Sequence, residues 1–303
     1  MKIKRNNRWK NVDFWLYAMI LPGFLVVLIY NYIPLFGWAI AFQRYNPARG
    51  MFGSQFIGLQ NFRMLFANPA FTQVIYNTVY IASFKLVLNF FTPLIIAILL
   101  NEIVRERYKK ILQTSVYLPH FISWVILGGV FVSILHPGTG VVNQILGWFN
   151  AGPIHFLGDA SVFRHTAIWT DVWRGFGWGT IIYMAALSTI DPGLYEAASL
   201  DGAKRIHRIW HVAIPGLAPI MVLQATLALG NVLEAGFDQI LNLYNPAVYS
   251  TGDILDTFIF RRGLGDGQFA MATAAGMFRS AISLFMVSTA YFLAFKLAKY
   301  RIF

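Results

Sequence analysis

Residues 195–219 read YEAASLDGAKRIHRIWHVAIPGLAP, the most polar internal stretch of a very apolar chain, set between two long hydrophobic runs. Asp191-Pro192 opens the segment as helices open, with a capping carboxylate followed by Pro at the first helical position. Gly202 interrupts it, because Gly inside a helix costs about 1 kcal/mol relative to Ala. Lys204, Arg205 and Arg208 follow, and Pro215 stands where the next apolar run begins. The expectation is a short helix, a bend and a basic second helix, exposed at one membrane face.

Working outward, the 303 residues are 57% hydrophobic and 12% charged, with mean hydropathy +0.56. Soluble domains carry roughly 25% charged residues, so the composition specifies a multi-spanning membrane protein. The net charge of +11 would suggest nucleic acid in a soluble chain; here the placement of the charges decides, and no nucleic-acid partner is expected. Cysteine is absent and the six His are scattered without ligand spacing, so neither disulfides nor a metal site are expected.

Apolar runs lie at about 14–42, 74–100, 114–135, 166–187, 211–233 and 270–295, six spans of sufficient length. The first follows a basic tail, 1–13. It is too long for a signal-peptide core, and it reads as a retained span anchored by Trp15 and Tyr17. With the N-terminus inside, the segments 1–13, 101–113, 188–210 and 296–303 hold fifteen Lys and Arg. The opposite segments 43–73, 136–165 and 234–269 hold six. That bias puts both termini and the loop at about 188–210 in the cytoplasm. No long hydrophilic insertion or internal repeat divides the chain, so 1–303 reads as a single transmembrane domain.

The loop resembles the EAA loop of ABC-importer permeases. The family pattern is Glu-Ala-Ala, three residues, Gly, nine residues, then Ile-x-Leu-Pro. Here it reads Glu196-Ala197-Ala198, Gly202, then Val212-Ala213-Ile214-Pro215, with Val and Ile as mild departures. The stretches 117–125 (YLPHFISWV), 236–246 (GFDQILNLYNP) and 256–264 (DTFIFRRGL) resemble a branch of carbohydrate permeases associated with oligosaccharides from complex polysaccharides. The resemblance implies an all-α membrane protein with six transmembrane helices, the type I (maltose-type) ABC importer permease fold. It implies a coupling helix in which Glu196, Ala197, Ala198, Asp201, Gly202 and Ala203 meet a separate ATPase.

The implied partners are two ATP-binding subunits that hold ATP and Mg, a second permease, identical or different, and an extracellular or periplasmic solute-binding protein. The implied location is a bacterial cytoplasmic membrane. The chain has no GxxxxGK[ST] phosphate loop, no GxSxG elbow and no nucleophile–base constellation. It is therefore expected to have no catalytic residues and to carry no cofactor itself. The rival readings are an ion-gradient-driven secondary transporter or channel, which has no use for this loop, and a membrane enzyme or scaffold, which lacks a catalytic cluster.

Polar residues inside spans face the bundle interior or a water-filled cavity, because charge in hydrocarbon is costly. Lys85 and Asn89 share a face of the second span; Asp171, Arg174 and Trp178 share a stripe of the fourth. Gln224, Asn231, Glu234 and Asp238 line up along the fifth, and Arg279 lies well inside the sixth. These residues are candidates for a carbohydrate pathway, with Trp173, Trp178 and Tyr183 as surfaces on which sugar rings stack. The bland alternative pairs Asp171 with Arg174 at i,i+3 and Lys85 or Arg279 with Glu234 or Asp238. Three bases (Lys85, Arg174, Arg279) against Asp171 point to an anionic sugar such as a uronate oligomer. Small residues at Gly175/Gly179 and Ala272/Gly276 mark expected packing seams.

Overall fold

The computed structural model of the chain describes residues 14–230 and 233–298. Helix dominates, beginning with α1 (Phe14–Val27), which holds Pro22 and runs on through a π turn, Leu28–Tyr32, into a 3₁₀ stretch, Ile33–Phe42. A two-residue antiparallel ladder then pairs β1 (Gln43–Arg44) with β2 (Gln55–Phe56). Next come α2 (Gln60–Ala67) and α3 (Pro69–Asn101), whose Asn68 cap accepts from the Ala70 N–H. With 33 residues, α3 is about 50 Å long at 1.5 Å per residue. The rest of the bundle is arranged along it.

Where the sequence predicts one span at 114–135, the chain bends by 105°. Helix α4 (Glu106–Tyr117) passes into a short 3₁₀ turn, Leu118–Phe121, and then α5 (Trp124–Ile134) sets off in a new direction. Pro119 has no N–H to continue the ladder, and the Ser123 hydroxyl caps the new helix by accepting from the Ile126 N–H at 3.4 Å. After α6 (Val141–Trp148) comes α7 (Ala160–Leu187), which lies along α3. Glycines make that approach possible. A Cβ on Gly179 would sit 2.8 Å from Pro93, and one on Gly175 3.3 Å from Asn89 Oδ1. This expected seam exists. Of the Ala272/Gly276 pair, Ala272 is closely approached by Gly263, where a Cβ would lie 3.0 Å from it, whereas at Gly276 a Cβ would meet nothing within 4 Å among the described residues.

Helix α8 (Pro192–Leu200) leads through a turn to a helical stretch, Arg205–Arg208, a π turn, Ile209–Ala213, and α9 (Ile214–Gly230). The chain closes with α10 (Phe237–Leu243), α11 (Leu255–Phe260) and α12 (Phe269–Ala298). Among the described residues, four helical stretches are long and apolar enough to cross a membrane: Tyr17–Phe42, Pro69–Asn101, Arg205–Gly230 and Phe269–Thr289. The bent pair Glu106–Phe121 and Trp124–Ile134 makes a fifth. At 28 residues α7 is as long as a span, but Arg164, Asp171 and Arg174 lower its hydropathy.

Three apolar clusters succeed one another along α3. Phe71 and Val74 pack with Leu255 and Phe258; Ile81 packs with Trp124, Ile168 and Ile240; Leu94 and Ala97 pack with Tyr183, Leu187 and Leu217. A polar knot holds the 245–254 segment to the bundle. Arg164 Nη2 donates to Asn77 Oδ1 at 2.7 Å, while Asn77 Nδ2 donates to the carbonyls of Ser250 and Asp253 at 3.2 and 3.0 Å.

Candidate functional site

Between α3, α7, α9 and the stretch leading into α10 lies a cavity of about 520 Å³, within the range of small-molecule sites. Lys85, Asn89, Asp171, Arg174, Tyr183, Gln224, Glu234, Asp238 and Gln239 line it. The inward orientation expected from the cost of charge in hydrocarbon is what places Lys85, Asn89, Asp171 and Arg174 together.

Lys85 is buried and fully engaged. Its ammonium donates to the Ala235 carbonyl at 2.7 Å and to Gln239 Oε1, and lies 3.4 Å from Asp171 Oδ1. Asn89 Nδ2 donates to the other Asp171 oxygen at 3.1 Å. Gln239 Nε2 in turn donates to the Ala167 carbonyl at 2.6 Å and Thr170 Oγ1 at 2.7 Å. A buried charge is tolerable only when paired and hydrogen-bonded, and here both conditions hold. Gly236 makes room: its φ is +89°, and a Cβ there would lie 2.7 Å from the Lys85 ammonium.

Arg174 does not pair with Asp171. Its Nε and Nη2 donate, each at 3.1 Å, to the carbonyls of Ile122 and His120, and its guanidinium lies 5.1 Å from the Trp124 ring. The break between α4 and α5 exposes these carbonyls, because a helix end leaves its last carbonyls without intrahelical partners. Arg174 thus stabilises the bend as well as the cavity wall.

The expected stacking surfaces separate. Tyr183 lines the cavity, 1% exposed, with its hydroxyl unpartnered among the described residues. Trp178 has one face covered by His120, rings 5.0 Å apart and 13° from parallel; Trp173 meets Phe131 edge-on at 5.6 Å. Neither tryptophan is part of the cavity wall. Arg279 is also elsewhere, 3.1 Å from Asp256 in an adjoining chamber. Asn231 lies outside the described residues.

The charge count therefore changes. Lys85 and Arg174 face Asp171, Glu234 and Asp238 in the cavity, so the excess of bases read from the spans is not an excess in this chamber. Sequence reasoning missed Gln239 and Asp256, which lie in helices of two turns or fewer, and Trp124, which opens α5, so that too little helical period exists to mark a facing side.

The 188–210 connection has the predicted form in detail. Asp191 Oδ1 accepts from the Gly193 N–H at 2.9 Å and Pro192 occupies the first helical position. At the far end of α8 the Ala203 N–H bonds the Ala198 carbonyl at 2.9 Å and the Gly202 N–H bonds that of Ser199 at 3.1 Å. Gly202 has φ +74°. This is a Schellman stop, which needs a left-handed residue and so a glycine. Arg208 Nη1 donates to Ser199 Oγ at 3.1 Å, fixing the basic helix against α8. Glu196, Ala197, Asp201 and Gly202 are exposed, Ala198 and Ala203 half-buried, and Leu200 is 90% exposed. Tyr195, Glu196, Ser199, Leu200 and Arg208 line a hollow of about 480 Å³. Burial raises the Tyr195 phenol above its ordinary range, and the Glu102 carboxylate adds to the effect.

Residues 89–299 match the family model described as the binding-protein-dependent transport system inner membrane component. The chain is 39% identical, over 95% of its length and 90% of the relative's, to the polygalacturonan/rhamnogalacturonan transport system permease protein YteP of Bacillus subtilis (strain 168). It is also similar to a chain from the crystal structure of a bacterial ABC transporter involved in importing the acidic polysaccharide alginate. There the TM-score is 0.86 at 37% identity, covering 94% of this chain and 96% of the other. A chain from the bacterial alginate ABC transporter in complex with alginate pentasaccharide-bound periplasmic protein gives TM-score 0.87 at 36% identity, covering 96% and 97%. The matched residues take in the cavity wall from Asn89 onward and the α8 connection, and the chain accordingly belongs to the binding-protein-dependent transport system inner membrane component family.

Proposed function

We propose that this chain forms half of the membrane path of an ATP-driven, binding-protein-dependent importer for oligosaccharides from a complex acidic polysaccharide. The observation that carries the reading is α8. It is a capped helix ended by a left-handed glycine, exposed on a face with no partner among the described residues, and tied by the Arg208–Ser199 hydrogen bond to the helix that enters α9. Such an element transmits a push. Two separate ATPase subunits, which hold ATP and Mg, supply it; a solute-binding protein delivers the sugar at the opposite face, and a second permease completes the path.

In this reading α7 is the sixth span, and its polar load is tolerated because it faces α3 and the cavity rather than lipid. The excess of Lys and Arg in alternate connections supports a cytoplasmic position for both termini and α8 at a bacterial inner membrane. The acidity of the substrate is supported by the polysaccharides carried by the similar transporters, not by the charge balance of this cavity.

The test uses the purified complex with its ATPase subunits and binding protein. Glu196→Lys reverses a charge on the exposed face of α8, and Gly202→Pro forbids the φ that the Schellman stop requires. Each is expected to reduce sugar-stimulated ATP hydrolysis about tenfold or more while leaving membrane insertion intact. Unchanged coupling in both, or uptake without ATP, overturns the reading.

A further inference from the structure

A second chamber, of about 630 Å³, adjoins the first, and Glu234 and Phe237 belong to the walls of both. Trp38 of the first span and Phe260 of α11 contribute to it, and α12 presents Gly276 and Arg279. The Phe237 and Phe260 rings lie 5.5 Å apart at the shared wall.

Arg279 differs from the other two bases of the spans. Lys85 and Arg174 spend their donors on carbonyl and amide oxygens. Arg279 Nε stands 3.1 Å from Asp256 Oδ1, close enough for an ion pair, yet its buried N–H is not aligned on any acceptor among the described residues. A guanidinium has five N–H donors in a fixed fork; the buried Nε–H lies against Asp256, while the terminal Nη groups make no hydrogen bond to a described residue and border open volume. A ligand oxygen would satisfy them.

The wall chemistry specifies what kind. Aromatic faces suit the C–H faces of a pyranose, a guanidinium donates to hydroxyl oxygens, and carboxylates accept from O–H groups. Glu234 and Asp256 outnumber Arg279 here, so the unit is held by hydroxyls rather than by a carboxylate. We propose that this chamber is a second sugar subsite, holding one pyranose unit of an oligosaccharide whose remainder occupies the first cavity. The inference rests on the importer reading and adds to it a preference for chain length.

Gly276→Leu plugs the chamber from a position where a Cβ meets no atom within 4 Å. Proteoliposomes with the full complex would be given galacturonate dimers, short enough for the first cavity alone, and galacturonate pentamers. Pentamer uptake is expected to fall about tenfold while dimer uptake stays within about twofold of wild type. Phe260→Ala is expected to act in the same direction. Equal loss for both lengths, or loss for neither, overturns the subsite. Failure of Gly276→Leu to co-purify with the second permease also overturns it, since the chamber would then be a contact surface between permeases. A wild-type complex that carries neither oligomer overturns the importer reading and the subsite together.

Discussion

Lys85 places a full charge, 4% exposed, in the middle of a long apolar helix, with no acidic residue one turn away on either side. Its partner comes from α7, 86 positions along the chain, and its hydrogen-bond acceptors are the Ala235 carbonyl just before α10 and Gln239 Oε1 within α10. Lys85→Met leaves Asp171 without its cation and two buried acceptors without a donor. The expected cost is about 3–5 kcal/mol, read as a lower thermal unfolding midpoint in detergent. Adding Asp171→Leu should restore most of the loss, because an apolar pair needs no desolvation offset. Equal midpoints for the single and double variants would show that the pair does not act as a unit. The sequence shows that Lys85 and Asp171 must turn inward. It does not show that they meet, and Gln239, which ties Lys85 to Ala167 and Thr170 of α7, carries no signal at all.

At the scale of elements, α7 illustrates both ends of the problem. Asp159 caps it, accepting from the Ser161 N–H at 2.8 Å and hydroxyl at 2.7 Å, and these bonds to the ionised form hold its carboxyl below its ordinary range. A depressed carboxylate adds stability above its unfolded pKa of about 3.9, and loses it as pH falls through the lowered folded value. Hydrogen-exchange protection in the first turn of α7, taken relative to the intrinsic rate at each pH, should therefore fall only at strongly acid pH. Asp159→Asn, which keeps an acceptor oxygen, should abolish that dependence. Further along, Gly177 faces the end of α4, where a Cβ would come within 2.1 Å of the Val116 carbonyl oxygen. Gly177→Ala should cost about 1–3 kcal/mol by overpacking. Gly23→Ala, where a Cβ meets nothing within 4 Å, should cost nothing. A thermal melt of the two variants checks this. The bend at Pro119 is not legible in the sequence, because a continuous apolar run hides a change of direction that a single proline and a serine cap bring about.

For the whole molecule the decisive measurement is sidedness, and the chain is suited to it because it contains no cysteine. Leu200→Cys on α8 and Trp148→Cys at the end of α6 place single thiols at exposed positions. A membrane-impermeant maleimide should label the first only from the cytoplasmic side and the second only from outside. Labelling of both from one side would contradict the orientation and, with it, the role of α8. The same scale explains the first span. Among the described residues no part of its most apolar window is buried, so lipid or another subunit is its solvent.

Composition and local pattern determined the membrane setting, the helical class and the form of the α8 connection down to its Asp191 cap and Gly202 stop. These depend on free energies that neighbouring residues settle among themselves: transfer of apolar runs, capping bonds and the backbone freedom of glycine. Only the tertiary structure decided which polar residues share a chamber, which tryptophans lie outside it, and that Arg279 looks into a second one. Those outcomes depend on distances between helices far apart in the chain, set by close contacts such as Gly179 on Pro93, and no periodicity within one helix encodes them.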